Sequence, residues 1–159
     1  MVIERDSEIE PLTGDELTAL RALRLALNVL MRGLDADLTR GHGLSHTEFL
    51  VLMSLAEAAD GTMRLSDIAD FCQQSLSAIS RTVARLEAAG WVRKQQHPLD
   101  GRGLNATLTS GGREKFDQAH ASHLRSVRRR FFAYLDDVDP RVLGDALRRI
   151  AEQNPRSAV

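Results

Sequence analysis

The sequence predicts a mainly α-helical fold that carries one small β-hairpin. Three observations lead there. Apolar residues recur at helical spacing in two long, capped segments, one towards each end of the chain. Between them, two short helical segments are separated only by Gln73 and Gln74. After Gly90 the pattern shortens from the helical period to the alternation of a strand.

The chain has 159 residues, 43% hydrophobic and 27% charged, which suits one domain with a core of its own. Aromatic residues are only 4%, so that core must be built from Leu, Ala, Val and Ile. No apolar run is long enough to span a bilayer, and the acidic first ten residues lack the form of a secretion signal. A cytoplasmic location without membrane contact is therefore expected. The single cysteine, Cys72, excludes an intrachain disulfide and a multi-cysteine zinc site.

In order, residues 1–11 lack periodicity. Thr13-Gly14-Asp15-Glu16 reads as a capping box, with Leu12 and Leu17 as a hydrophobic staple, and the first helix should run to about residue 40. Its leucines occupy more than one face, so a partner chain is expected to cover what this chain cannot. A second capping box, Ser45-His46-Thr47-Glu48, opens a helix to about residue 59. Residues 63–65 suit a short strand, and Ser66 is expected to cap a third helix over 67–72. The fourth helix, over 75–87, has Ser75 as N-cap and Gly90 as its left-handed terminator. Ile79, Val83 and Leu86 form its inner stripe. Leu76, Ser77, Ser80, Arg81 and Ala84 lie on the other side, and small polar and cationic groups suit base edges and phosphates better than bond chemistry.

Residues 91–96 and 104–109 then read as two strands joined by a long tip over 97–103. A helix-turn-helix followed at once by a two-stranded hairpin is a winged helix. Arg102 on the tip suits a minor groove, whose negative potential attracts arginine. Thr109 should cap a long helix over 110–135, weakened at its start by Gly111 and Gly112. Asp139-Pro140 should open the last helix, to about residue 153, burying Leu143, Ala146, Leu147 and Ile150.

The net charge of −1 hides an uneven distribution. Between Gln73 and Lys115 seven cations face three anions, a local excess of four, whereas the first twenty residues hold six anions and one cation. A basic middle is the footprint expected of a nucleic-acid-binding lobe.

The chain resembles the MarR family of bacterial transcriptional regulators over about residues 12–153. The likeness is carried by Leu65-Ser66-Asp67-Ile68-Ala69 leading to Ile79-Ser80-Arg81-Thr82-Val83-Ala84-Arg85-Leu86-Glu87-Ala88-Ala89-Gly90-Trp91-Val92. The wing Asp100-Gly101-Arg102 and Leu108-Thr109 with its following glycine complete it. The resemblance implies a homodimer in which residues 12–40 and 110–153 form a helical dimerisation region. Residues 44–109 would form the winged helix-turn-helix lobe that binds a pseudo-palindromic operator in double-stranded DNA. It places Ser75, Ser77, Ser80 and Arg81 in the major groove and Arg102 at the minor groove, with Asp100 bracing Arg102. Arg85 reaches either a phosphate or a neighbouring carboxylate. Two positions depart from the family pattern. Gln73 replaces a common glycine, so a wider turn is expected. Leu76 replaces a frequent polar or basic residue, and an apolar side chain there suits a thymine methyl.

The expected function is that of a repressor relieved by a small aromatic or phenolic effector. Asn28, a polar residue in an apolar helix, and His46 are the candidate ligand contacts. A redox- or metal-responsive regulator of the same fold and a protein-docking winged helix are the alternatives. Cys72 sits at an apolar helix position, which suits packing better than oxidant sensing. His42 with His46, and His120 with His123, have metal-compatible spacing but no supporting ligand set. No nucleophile–base pair, phosphate loop or cofactor motif appears, so neither an enzyme nor a cofactor or metal is expected.

Overall fold

The structure is a computed structural model describing residues 10–97 and 100–154, with the side chains of residues 97 and 100–102 left aside. The order of elements is α1 (Gly14–His42), α2 (His46–Glu57), β1 (Thr62–Arg64), α3 (Leu65–Phe71), α4 (Leu76–Ala88), β2 (Val92–His97), β3 (Asp100–Leu108), α5 (Ser110–Arg130) and α6 (Pro140–Gln153). A 3-10 turn, Phe132–Tyr134, lies between α5 and α6.

Both capping boxes form. Thr13 accepts from the Glu16 N–H while Glu16 accepts from the Thr13 N–H, and Ser45 and Glu48 do the same for α2. α1 runs two residues further than expected, because Gly43, at φ +64°, supplies the left-handed terminator. The helix α3 corrects the expected cap. Arg64 is its N-cap residue and no side chain caps it, while Ser66 lies inside the helix and donates to Asp67. The buried Leu65 takes the first helical position, so strand β1 passes straight into α3.

The hairpin also differs from expectation. Pairing continues out to His97 with Asp100, past a bulge at Gln96/His97, so β3 begins four residues earlier than the sequence suggested. β1 joins from the other side and makes a three-stranded antiparallel sheet in the order β1-β3-β2. The core lies between this sheet and α2, α3 and α4. Phe49, Leu52, Leu55, Ile68, Ile79, Val83, Leu86, Val92 and Ala106 are all essentially inaccessible.

The first half of α5 closes this core with Phe116 and Ala119. Gly112 is required there, because a Cβ at that position would lie 2.0 Å from the carbonyl oxygen of Trp91. α5 stops at Arg130, not 135, where Phe131 leaves helical geometry at φ −122°, ψ −67°. The apolar pattern continues because the 3-10 turn and Leu135 still present an apolar side. In α6, Leu147 and Ile150 are exposed and Leu143 and Ala146 only half-buried, so the expected burial does not occur within one chain. Leu23, Leu27, Leu30, Phe131, Leu143 and Leu147 instead line an open groove of about 840 Å³ between α1, α6 and the end of α5. Among the described residues no helix is long and apolar enough to cross a membrane.

Candidate nucleic-acid interface

The helix α4 is held by its inner face and by both ends. Ile79, Val83 and Leu86 are buried as expected. Thr82 joins them, its hydroxyl donating back to the Ala78 carbonyl at 3.1 Å. The Ser75 hydroxyl accepts from the Ala78 N–H, capping the first turn. At the other end Gly90, at φ +77°, lets its own N–H reach Glu87 O and the Trp91 N–H reach Leu86 O, a Schellman closure. Glu87 accepts the Lys94 N–H at 2.8 Å and pairs with its ammonium at 3.0 Å, joining the helix end to β2.

The turn before α4 corrects the expectation of extra width. Gln73 adopts φ +52° and so takes the left-handed conformation a glycine would supply. Its N–H and its side-chain amide both donate to Asp70 O, and Gln74 N–H reaches Ala69 O. The turn keeps its tight form with a non-glycine residue.

The outer face of α4 presents Ser75, Leu76, Ser77 and Arg81 to solvent, with Ser80 half-buried. Successive residues four apart form two stripes, Leu76–Ser80–Ala84 and Ser77–Arg81–Arg85. Arg81 has no carboxylate partner among the described residues. Arg85 does. Its Nε donates to Glu48 at 2.9 Å, and a second guanidinium nitrogen lies 3.3 Å from the Thr82 hydroxyl. Of the two partners weighed for Arg85, the carboxylate is engaged. Partial burial opposes charge on Glu48, but the Ser45 N–H and Arg85 together hold its carboxyl below the usual range. The same carboxylate thus caps α2 and braces α4.

The backbones of Asp100 and Arg102 lie in β3 beside β2, but their side chains, and residues 98–99 of the tip, fall outside the described residues. At the wing's base the Thr109 hydroxyl donates to Gly90 O at 2.7 Å and accepts from the Gly112 N–H at 3.0 Å. Leu104, on the core side of β3, is 42% exposed. It shares with Leu76 and Ser80 a hollow of about 250 Å³ between the hairpin and the two short helices.

The remaining candidates are placed apart from this face. Asn28 is exposed on α1, its amide donating back to Arg24 O at 2.9 Å. It is not enclosed in an apolar interior in this chain. The His46 ring lies 5.9 Å from that of His123, while its backbone N–H donates to Asp35 at 2.7 Å. His123 and His120 pack against Phe49, and His42 bonds the Ser122 hydroxyl at 2.6 Å. Among the described residues no three His, Cys, Asp or Glu side chains converge as a metal site. Cys72 is buried, and that burial pushes its thiol up to about 11, which disfavours the reactive thiolate.

Sequence reading missed Glu48, Glu87 and Thr109 as supports of the face. The capping-box pattern was visible for Glu48, but its reach to Arg85, 37 residues away, had no local signal.

These features define a winged helix-turn-helix protein whose recognition-type helix is exposed and whose terminal helices carry an uncovered apolar face. The MarR family model matches residues 42–103. Sco3205, a MarR family transcriptional regulator from Streptomyces coelicolor solved in complex with DNA, is 33% identical. That match covers 96% of this chain and 95% of Sco3205, with a TM-score of 0.88. AbsC, a MarR family transcriptional regulator from the same organism, is 34% identical over 91% of this chain and 97% of its own, with a TM-score of 0.81. The HTH-type transcriptional repressor YetL of Bacillus subtilis is 26% identical over 114 residues, 70% of this chain and 68% of YetL. The chain belongs to the MarR family of transcriptional regulators.

Proposed function

We propose that the protein is a homodimeric repressor that binds a pseudo-palindromic operator through the outer face of α4 and the wing. The observation that carries this reading is the exposed face of Ser75, Leu76, Ser77, Ser80 and Arg81, presented on a helix fixed at both ends. Arg81 would supply the cation for a guanine edge or phosphate. Arg102, and Asp100 behind it, would extend the contact into the neighbouring minor groove. Arg85 is assigned first to Glu48 and acts by positioning α4. The two copies of α4 would lie about 34 Å apart, one turn of B-DNA.

The dimer is supported by the apolar groove between α1 and α6, which a second copy of the same helices would fill. Repression is supported by the likeness to YetL, named a transcriptional repressor. We extend the proposal to relief by a small aromatic or phenolic effector, which the resemblance to the family implies. Such a ligand would act only through its difference in affinity for the bound and free arrangements of the lobes.

The test is binding to the promoter DNA of the protein's own gene across a salt series. A steep fall in affinity with rising salt is expected from phosphate contacts. No binding to that DNA at low salt would overturn the proposal. Adding small aromatic acids to the bound complex tests relief, with release of DNA expected.

A further inference from the structure

Leu76 is the one large apolar side chain on the outer face of α4 and is 55% exposed at the first helical position. Around it are hydroxyls and methyls. Ser80 and Ala84 follow it on its own stripe, and Ser75 and Ser77 flank it. These short groups leave room for another molecule to approach the helix closely at Leu76. Leu104 of β3 lines the same 250 Å³ hollow, so a second exposed leucine, from the wing, borders the space beside Leu76. The partner of this surface must therefore offer one compact apolar group set among hydrogen-bonding groups, and an anionic frame for the neighbouring Arg81.

In the major groove of duplex DNA, the thymine C5-methyl is the apolar group among the base edges of the four standard base pairs. The N-terminal end of a recognition helix is the part that reaches those edges. Resting on the DNA-binding function proposed above, we infer that Leu76 is a specificity-determining residue that reads a thymine methyl in each half-site, with Leu104 as the positioning residue beside it. A wet, uncovered leucine in the free protein becomes covered only when thymine stands at that position. The discrimination comes from apolar contact, so it adds to the hydrogen-bond and phosphate contacts without replacing them.

Deoxyuridine tests this directly, because it keeps every hydrogen-bonding group of thymine and lacks only the methyl. The unaltered protein is used to select a duplex from a random-sequence pool, and the selected duplex is resynthesised with deoxyuridine at each thymine in turn. At one position per half-site, affinity should fall about fourfold, and ~15-fold when both half-sites are changed, as expected for one buried methyl each. Leu76→Ala should bind the thymine and uracil duplexes alike, and Leu104→Ala should narrow the difference. Equal affinity of the unaltered protein for thymine and uracil at every position would overturn the inference, as would full discrimination persisting in Leu76→Ala. Selection of no preferred duplex would overturn the DNA-binding function on which it rests. The uracil arm uses the unaltered protein, so it does not depend on how any variant folds.

Discussion

Gln73 occupies a backbone conformation that costs an L-residue about 1–2 kcal/mol. Its side-chain bond to Asp70 O offsets part of that cost. Gln73→Gly should therefore stabilise the fold by ~0.5–1 kcal/mol, read as a rise in the urea midpoint; a fall would show that the side-chain bond dominates. Gly112 presents the opposite case. Any Cβ there meets the Trp91 carbonyl, so Gly112→Ala should lower stability by ~3 kcal/mol, measured in the same denaturation. Asp37 of α1 gathers Ser126, Arg129 and Arg130 of α5 together with Arg40. Hydrogen bonds from Arg130 and Ser126 hold its carboxyl well below the usual range. The ionised form is the one the fold prefers, so this stability is complete above about pH 4 and is lost as pH falls further. Asp37→Asn should cost ~2 kcal/mol at neutral pH and flatten the acid limb of the stability profile.

At the scale of elements, α2 and α5 meet through imidazoles packed against Phe49. The His123 and Phe49 ring centres are 4.5 Å apart. Burial depresses both His46 and His123, and neighbouring histidines depress His123 further, while Asp35 works the other way on His46. The neutral rings are favoured in the fold. Stability is therefore full above about pH 6.5 and declines as pH falls below it, where the unfolded chain takes up protons first. A thermal melt should show a lower midpoint at pH 5.5 than at pH 7.5, and His123→Leu should reduce that difference. The sequence made these helices legible because each starts with a side-chain cap and repeats its apolar residues within the same segment. It hid the early start of β3, since residues 100–103 have turn chemistry and only the pairing of Asp100 with His97 carries the ladder beyond Leu104. It likewise hid the end of α5, where Phe131 and Leu135 keep the spacing of a helix after the helix has ended. The outer face of α4 was legible from periodicity alone. The bond from Arg85 to Glu48 was not, because it joins segments brought together only by the folded core.

For the whole molecule, the distribution of exposed apolar residues separates two halves. The lobe around Phe49 has its own closed core, whereas the groove of α1, α6 and the end of α5 remains open in one chain. A second copy should close it, giving a dimer in sedimentation experiments. Paired substitution of Leu27 and Leu147 by Glu should yield monomers whose lobes remain folded and whose operator affinity falls at least tenfold, since each half-site would then be bound separately. Unchanged dimerisation in that variant would place the interface elsewhere. The sequence showed the excess of apolar faces in α1 and the apolar stripe of α6, but an amphipathic pattern does not by itself reveal which chain covers it.

The two bonds of the Thr109 hydroxyl have a consequence for how this protein can diversify. They fasten the base of the hairpin to the end of α4 and the start of α5, and the Glu87–Lys94 pair adds a second fastening at the same end. Both fastenings act at the base of the hairpin. A tip of different length or composition can therefore be spliced in while the reading helix keeps its seat, with loop closure costing only about 0.6 kcal/mol per doubling of length. If the wing and α4 read separate grooves as proposed, their two preferences can then be exchanged as separate cassettes.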